Sequence, residues 1–256
     1  MALVERGLAP SRARARAAVM AGLVRVDGAP AAKPGTAVSD AVTLELQPGQ
    51  RYVSRGGDKL AGALEELGVQ LAGARALDLG ASTGGFTDCL LQAGAAEVVA
   101  LDVGYGQLNW SLRQDQRVHV LERCNARHLT ADLLPYAPEV VTCDLAFISV
   151  SAVWPAVAPC LGDGWRALVL AKPQFEAGRE AVGRGGVVRD PQARADAVRR
   201  VAAALVDAGG RVAGLAESAL PGPRGNREVF LLAVDPSRPE GAGFDLEAEL
   251  AGLGPA

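Results

Sequence analysis

Cysteine and histidine are scarce in this sequence of 256 residues. The four cysteines, at positions 89, 124, 143 and 160, form no C-x-x-C pair, and the two histidines are His119 and His128. Structural zinc sites in proteins draw on closely spaced cysteine and histidine ligands. We therefore expect no metal centre, and the widely separated cysteines favour a reduced chain of the cytoplasm over one held together by disulfides.

Long apolar stretches are missing as well. No run approaches the ~18 apolar residues that a membrane-spanning helix requires, and residues 1–10 lack the apolar segment of a secretory signal. The sequence therefore predicts no export and no membrane partner. A chain of 256 residues can still bury a substantial core, so one or two domains are expected.

Lysine is also rare, with three lysines against 23 arginines. A bias in base composition is the simplest explanation of that ratio. The net charge of −3 conceals an asymmetry, because residues 1–60 hold nine basic and five acidic side chains, a net charge of +4, and the remainder carries −7. A basic N-terminal region beside an acidic remainder predicts a module that binds a polyanion.

Residues 1–48 are predicted to form a small α+β domain, which the charge asymmetry marks as the polyanion-binding module. The expected elements are a short helix ending at Gly7, a helix from Ser11 to Gly22, and strands at 24–28 and 42–46. The Asp27-Gly28 step after the first strand is typical of a hairpin turn. The candidate residues for binding a polyanion, which the resemblance to a known RNA-binding domain implies is RNA, are Arg6, Arg12, Arg14, Arg16 and Arg25 in this domain and Arg55 just beyond it.

Residues 55–240 follow a predicted linker at 49–54 and alternate strands with helices. The strand candidates are 75–79, 97–102, 118–122, 140–145, 167–171, 211–217 and 228–234, and the clearest helix spans 192–208. This alternation indicates an α/β fold with an open, mostly parallel sheet that is covered on both faces. The last two strands have no helix between them, which predicts an antiparallel hairpin. The segment 241–256 is expected to be a peripheral tail.

A glycine-rich turn follows the first of these strands. Its candidate cofactor-binding residues are Gly80, Ala81, Ser82, Gly84, Gly85 and Phe86. The G-x-x-x-G-G spacing matches neither the dinucleotide-binding pattern nor a nucleoside-triphosphate loop. Asp102 ends the next strand, where a carboxylate can accept both ribose hydroxyls of a nucleoside. A tight strand-to-helix turn is the alternative for the glycines alone, whereas glycines and acid together favour S-adenosylmethionine.

Two further strand ends carry polar candidates for the cofactor site. Asn125 is placed to bind an adenine edge, although an ordinary turn residue is the alternative. Asp144 lies near the end of the strand predicted at 140–145. The segment that begins at Asp144 does not contain the aromatic N/D-P-P-Y/F loop typical of enzymes that methylate exocyclic amines. The neighbouring Cys143 is interpreted as a core residue. The methylation target is therefore expected to be neither a base amine nor a pyrimidine carbon.

Two of the three lysines occupy unusual positions. Lys172 ends a strand, where an unpaired ammonium is costly to bury, and Lys59 lies in the first turn of a helix, where the helix dipole disfavours a cation. Convergence with the carboxylates of Asp144 and Glu228 would orient one amine as a general base for a hydroxyl. A solvated position on the helix surface is the alternative for Lys59.

Six segments, in this order and at these separations, resemble the haemolysin-A-type (TlyA) ribosomal RNA 2′-O-ribose methyltransferases, which are related to the FtsJ/RrmJ group. The segments are SRGGDKL at 54–60, LDLGASTGGFTD at 77–88, DLAFIS at 144–149, KPQFE at 172–176, GVVRD at 186–190 and GNRE at 225–228. The N-terminal region is similar to the alpha-L RNA-binding domain of a small-subunit ribosomal protein and of pseudouridine synthases. The resemblance implies a Rossmann-like, seven-stranded S-adenosylmethionine-dependent methyltransferase fold.

The resemblance also implies a catalytic tetrad of Lys59, Asp144, Lys172 and Glu228. In that family these residues activate a ribose 2′-hydroxyl for attack on the methyl group of S-adenosylmethionine, and Lys172 is the expected base. The implied substrates are cytidines of 16S and 23S ribosomal RNA in ribosomal subunits. All four tetrad residues are present, which disfavours a non-catalytic, RNA-binding assembly factor. A membrane-active haemolysin is disfavoured by the lack of a spanning segment or a long cationic amphipathic helix.

The sequence departs from the family at a few positions. Serine is usual where Ala146 stands, and lysine is common where Arg184 and Arg224 stand. The two arginines keep the charge and fit the general preference for arginine. The chain also starts at Met1 without the residues that usually open the first helix, for which a late start codon or a weakened RNA-binding domain are the two explanations.

Overall fold

The structure is a computed structural model that describes residues 1–47, 49–222 and 224–253. The chain divides into two compact units, Met1–Arg51 and Tyr52–Ala256, which we call the head and the body. The elements of the head are α1 (Ala2–Glu5), α2 (Arg12–Met20), β1 (Val24–Val26), β2 (Ala29–Pro30) and β3 (Leu44–Leu46). Its three strands form an antiparallel sheet in the order β2-β1-β3.

Local sequence signals explain the elements of the head. Helix α2 begins as predicted, because the Ser11 hydroxyl accepts a hydrogen bond from the backbone N–H of Arg14 at 3.2 Å. The Asp27-Gly28 turn has φ values of 48° and 79°, the left-handed pair that suits a two-residue hairpin. The predicted strand at 42–46 is shorter than expected, since the Val42 carbonyl accepts a hydrogen bond from a side chain instead of a neighbouring strand.

The body alternates helices and strands along most of its length. Its strands are β4 (Arg75–Leu79), β5 (Glu97–Asp102), β6 (Val118–Glu122), β7 (Val140–Cys143), β8 (Arg166–Ala171), β9 (Arg211–Glu217) and β10 (Val229–Val234). Its α-helices are α3 (Arg55–Glu66), α4 (Gly85–Gln92), α5 (Trp110–Arg113), α6 (Trp154–Val157), α7 (Pro173–Glu176), α8 (Pro191–Asp207) and α9 (Leu246–Gly252). Short 3-10 turns occur at Ala126–His128, Ala131–Leu133, Val150–Ala152, Ala158–Cys160 and Arg179–Ala181.

The seven strands of the body form one sheet in the order β6-β5-β4-β7-β8-β10-β9. Neighbouring strands from β6 to β8 are parallel, and β10 runs antiparallel to both β8 and β9. The predicted α/β fold and its antiparallel closing pair are therefore confirmed. The chain runs from β4 outward to β6 and then returns to the other side of β4 as β7. The switch point of the sheet, where ligands of such folds bind, thus lies between β4 and β7.

Apolar helix stripes cover both faces of the sheet. Helix α8 buries Val198, Val201 and Leu205 on one face, as its sequence pattern predicts. Helix α3 buries Leu60 and Leu64 in a second cluster on the other face. In the described part of the chain, no helix is long and apolar enough to cross a membrane.

Two segments pack more closely than their composition suggests. Residues 52–54, predicted as linker, join the body, because Tyr52 is buried beneath Gly57 and the backbone N–H of Val53 donates to Asp88 at 2.9 Å. The segment 241–256, expected as a peripheral tail, is described as far as residue 253 and contains α9. Leu250 of this helix is buried in the main core, so an apolar contact holds the segment on the body.

Candidate active site

The candidate catalytic and cofactor residues collect at one edge of the sheet. Gly80 follows β4, Asp102 ends β5, Asp144 follows β7 and Lys172 follows β8. Glu228 precedes β10, whose direction is reversed, so the register that pairs Val229 with Ala171 places it at the same edge. The order of strands therefore brings together residues that are far apart in the sequence.

Helix α3 delivers Lys59 to this edge through a close helix contact. Gly85, the first residue of α4, lies so near the start of α3 that an added Cβ would be 2.2 Å from Ser54 Oγ and 2.9 Å from the backbone nitrogen of Gly57. The missing side chain of Gly85 thus allows the start of α4 to meet the start of α3 closely. Lys59, the fifth residue of α3, is 8% exposed.

Lys59 forms a buried ion pair with Glu228. The Lys59 ammonium lies 2.5 Å from Glu228 Oε2, and Glu228 is 1% exposed. The side-chain amide of Gln174 donates to the other oxygen of Glu228 at 3.4 Å. Gly222 packs against that same oxygen so tightly that a Cβ would lie 2.5 Å from it. Lys59 is therefore a paired, buried cation and not the solvated helix residue that was its alternative.

Lys172 forms the second ion pair, with Asp144. The Lys172 ammonium contacts Asp144 Oδ1, and it lies 5.9 Å from the centre of the Phe175 ring. The Asp144 side chain keeps 25% of its exposure, whereas the Glu228 side chain keeps 1%. The structure thus arranges the predicted tetrad as two ion pairs, of which the Lys172–Asp144 pair is the more accessible to a substrate.

The glycine-rich turn is organised around Asp102. The two carboxylate oxygens of Asp102 accept the backbone N–H groups of Ser82 at 2.8 Å and of Gly104 at 2.7 Å. Gly80 and Gly84 have φ values of 83° and 97°, which favour glycine. Two amide donors therefore fix the Asp102 carboxylate at the end of β5, with lone pairs left for further donors.

Three predicted cofactor residues have contacts of their own. The side chains of Ala81 and Phe86 lie in the core, where the Phe86 ring stacks on Phe230 with centroids 5.9 Å apart. Asn125 Oδ1 accepts the backbone N–H of Arg127 at 3.1 Å, as a turn residue does. The predicted adenine contact of Asn125 stays a prediction.

The sequence did not single out Asp78 for a role. Asp78 lies within β4 and is fully buried, and its carboxyl accepts the hydroxyls of Thr87 at 2.6 Å and Thr142 at 3.0 Å. Burial, with a smaller contribution from the charge of Asp144, outweighs the two hydroxyl hydrogen bonds and raises the pKa of Asp78 to about 7. A single acid among the apolar residues 76–79 of this strand is the signal that could have found it.

Asn226 is a second buried polar residue that the sequence left without a role. Its Oδ1 accepts the backbone N–H of Val188 at 3.0 Å, and its Nδ2 donates to the Gly186 carbonyl at 2.9 Å. It therefore ties the segment at 186–190 to the loop that leads into Glu228. Asn226 and its partners all lie in segments that carried the family resemblance.

The candidate RNA-binding arginines fall into two groups. Arg12, Arg14 and Arg16 are exposed on α2. The other three donate to backbone carbonyl oxygens: Arg6 to Val42, Ser39 and Asp40, Arg25 to Gly28, and Arg55 to Pro221. The α2 arginines thus form an exposed cluster on one helix, whereas Arg25 and Arg55 are exposed but also bound to backbone oxygens.

Cysteine and metal chemistry gain no support from the geometry. Cys143 is 1% exposed, and burial, followed by the charge of Asp144, raises the pKa of its thiol. A buried thiol with a raised pKa makes a poor nucleophile, which agrees with its predicted place in the core. Among the residues that the structure describes, no group of three or more His, Cys, Asp or Glu side chains is arranged to hold a metal ion.

Comparisons with known proteins agree with this architecture. The FtsJ-like methyltransferase family matches residues 52–235, and the S4 domain matches residues 1–42. The 16S/23S rRNA (cytidine-2'-O)-methyltransferase TlyA of Mycobacterium tuberculosis is 53% identical over 231 residues, which cover 90% of this chain and 86% of the relative. The solved structure of a candidate hemolysin from Streptococcus thermophilus has a TM-score of 0.75 at 39% identity and covers 98% of this chain and 92% of its own.

A more distant structure confirms the predicted methyltransferase fold. The S-adenosylmethionine dependent methyltransferase from Mesorhizobium loti has a TM-score of 0.51 at 17% identity, with 68% of this chain and 96% of that chain covered. At this identity the likeness concerns the fold alone. Three findings indicate the same family: the two matched domain families, the 53% identity to a relative over most of both chains, and the order of the strands in the sheet. The chain belongs to the TlyA family of FtsJ-like methyltransferases.

Proposed function

We propose that this chain transfers a methyl group from S-adenosylmethionine to the 2′-hydroxyl of cytidine riboses in 16S or 23S ribosomal RNA, in the cytoplasm. The observation that carries the proposal is the pair of lysine–carboxylate contacts, Lys59–Glu228 and Lys172–Asp144, beside a glycine-rich turn at the switch point of the sheet. The printed name of the Mycobacterium tuberculosis relative supports the choice of nucleotide and RNA.

The turn after β4 fits the cofactor. An added Cβ at Gly80 would lie 2.6 Å from the Asp144 carbonyl oxygen, so only glycine lets the turn pack this closely against the end of β7. Asp102, held by two amides, would accept the ribose hydroxyls of the cofactor, and the backbone of the 80–84 turn would face its methionine part. When bound, S-adenosylmethionine supplies a methyl group on a positively charged sulfur, which an oxygen nucleophile can attack.

Lysine suits the proton transfer that a ribose hydroxyl requires. The 2′-hydroxyl is a weak acid, so its attack is helped by a base that takes the proton as the new C–O bond forms. A lysine amine can exist in the neutral form and accept that proton at Nζ, whereas an arginine guanidinium cannot. Asp144 then holds the resulting Lys172 ammonium, and the Lys59–Glu228 pair fixes the second cation beside it.

The head supplies a surface for the RNA substrate. The exposed Arg12, Arg14 and Arg16 of α2 carry permanent positive charge, and such groups bind phosphates without reading the base sequence. The match to the S4 domain over residues 1–42 supports this assignment. The proposed partners are therefore ribosomal RNA and the ribosomal subunits that contain it.

A methylation assay on ribosomal particles tests the proposal. Purified protein, S-adenosylmethionine with a labelled methyl group, and either small subunits, large subunits or free ribosomal RNA are combined, and the label is mapped to base or ribose. We expect ribose label on cytidine, no turnover by Lys172→Ala, and unchanged cofactor binding by that variant.

Each other outcome points to a different function. Label on a base would contradict the proposed chemistry. RNA binding by the wild-type protein without any labelling would favour an assembly factor. Lysis of red cells that survives in Lys172→Ala would favour a membrane-active protein.

A further inference from the structure

A third carboxylate lies beside the Lys172–Asp144 pair without joining it. Glu176 is the last residue of α7, four residues after Lys172, and it is 8% exposed. One of its oxygens accepts the Ser149 hydroxyl at 2.5 Å, and the other accepts the backbone N–H of Val150 at 2.8 Å. Ser149 and Val150 lie at the end of the segment that begins at Asp144, and Glu176 lies on the helix that follows Lys172. Glu176 therefore connects the two stretches of chain that carry the Lys172–Asp144 pair.

The connected segment, residues 145–149, has an unusual backbone. Phe147 has a φ of 65°, in the left-handed region that residues with a side chain rarely adopt. Such a conformation persists only where the surrounding structure imposes it. The Phe147 side chain is 92% exposed and touches the Phe175 ring with centroids 5.2 Å apart, so its own packing holds the segment only weakly. The restraint at the far end of the segment is the double hydrogen bond of Glu176.

Electrostatics place Glu176 close to the ion pair. Burial raises the pKa of the Cys143 thiol, the charges of Asp144 and Glu176 raise it further, and the charge of Lys172 lowers it. All three charged groups therefore lie near the last residue of β7. Glu176 nevertheless directs its hydrogen bonds to Ser149 and Val150, which points to control of backbone geometry.

We infer that Glu176 is a positioning residue for Lys172. By holding Ser149 and Val150 against α7, it keeps the segment 145–149 in its strained form and so fixes Asp144 at the Lys172 ammonium. This inference rests on the proposed function, because that function makes Lys172 the base. Without Glu176 the segment relaxes, and Lys172 loses its fixed carboxylate partner.

Three variants separate positioning from general stability. Glu176→Ala removes both hydrogen bonds. Glu176→Gln keeps them, because an amide oxygen can accept the Val150 N–H and the amide NH₂ can donate to the Ser149 hydroxyl. Glu240→Ala is the matched control, since Glu240 is also a partly buried carboxylate but pairs with Arg166 and Arg238.

The scarcity of lysine makes the ion pair directly observable. Protein with isotope-labelled lysine has three lysine side chains to observe by NMR, which Lys→Arg exchanges assign one by one. In Glu176→Ala we expect the Lys172 signal to move toward that of the exposed Lys33, and the Val150 amide to exchange with solvent at least about tenfold faster. Glu176→Gln and Glu240→Ala are expected to keep both properties of the wild type.

Turnover supplies the second readout. We expect Glu176→Ala to lower kcat by about 10²-fold, as a small misplacement of a reacting group does, with an unchanged KM for S-adenosylmethionine. Glu176→Gln should recover kcat to within about threefold of the wild type. An unchanged Lys172 signal in Glu176→Ala, or an equal loss of kcat in Glu240→Ala, would overturn the inference. If wild-type protein labels no ribose, the proposed function fails, and the NMR and exchange results still decide whether Glu176 fixes the ion pair.

Discussion

At the scale of single residues, the three lysines differ in their surroundings. Lys59 and Lys172 each pair with a carboxylate at the edge of the sheet, whereas Lys33 is exposed in the head. An arginine keeps the charge but cannot release its proton. We therefore expect Lys172→Arg to lose at least about 10²-fold in methylation rate and to keep its affinity for S-adenosylmethionine, measured by calorimetry. Lys33→Arg is the control, and normal methylation by Lys172→Arg would show that Lys172 is not the base.

A second prediction at this scale concerns Asp78 and pH. The pKa of Asp78 is about 7 in the folded protein, whereas the ordinary pKa of an aspartate side chain, expected in the unfolded chain, is 3.8. Between these values the folded protein keeps a proton that the unfolded chain has released, so stability falls as pH rises from about 4 to 7 and is constant above. Asp78→Asn removes this loss, which amounts to at most ~4 kcal/mol.

Unfolding in urea between pH 4.5 and 8 measures this difference. We expect the stability of Asp78→Asn relative to the wild type to increase across that range. The exposed Asp207→Asn exchange, which removes a surface charge, is the control. A difference between Asp78→Asn and wild type that does not change with pH would contradict the predicted protonation of Asp78.

At the scale of elements, close packing requires glycine at the start of α4 but not at position 62 within α3. A methyl group at Gly85 would lie 2.2 Å from Ser54 Oγ and 2.9 Å from the Gly57 nitrogen. A methyl group at Gly62, within α3, would lie 3.7 Å from Ala219 Cβ, which is an ordinary contact. We expect Gly85→Ala to destabilise the protein by about 1–3 kcal/mol and Gly62→Ala to stabilise it by about 0.4–1 kcal/mol.

Thermal unfolding and the methylation assay check this pair of variants together. Because α3 carries Lys59, Gly85→Ala is also expected to lower the methylation rate, while Gly62→Ala keeps it. Equal stability of the two variants would show that the helix starts are less tightly packed than the structure indicates.

The elements were predictable from the sequence where their signals are local. Apolar runs and helix stops gave the seven strands and α8, and the Ser11 cap gave the start of α2. Composition failed at the segment 241–256, because a single apolar face on α9 is enough to hold it on the core through Leu250. The glycine and proline content of this segment does not show which of its apolar side chains are buried against the body.

The candidate site was predictable only in part, for a similar reason. The resemblance named Lys59 and Glu228, but their contact joins residues 169 positions apart and exists only in the folded sheet. Glu176 and Asn226 went without a role because their partners include backbone N–H groups of distant segments. A polar residue that binds distant backbone leaves no periodic pattern in the sequence.

At the scale of the whole molecule, the charge is divided between the units. The α2 arginines of the head are exposed, whereas Arg117 and Arg199 of the body are paired with acids. We expect the combined exchange of Arg12, Arg14 and Arg16 to Gln to weaken RNA binding and to reduce its salt dependence by about 2 in the slope of log K against log salt concentration.

Binding titrations at several salt concentrations measure this effect. The matched control exchanges Arg117 and Arg199 for Gln, which removes positive charge that neighbouring acids already neutralise. A salt dependence that is the same in both sets of variants would place the RNA contacts outside α2.

The insertion of β10 between β8 and β9 also determines when the Lys59–Glu228 pair can form during synthesis. Glu228 sits just before this strand, and β10 is the last strand of the sheet to be translated. Lys59 is translated long before its partner Glu228, from which it is separated by 169 positions. The two side chains can meet only when the strands between them have folded. The Lys59–Glu228 pair therefore forms late in the folding of the body, and a chain that stops before residue 228 lacks this half of the candidate site.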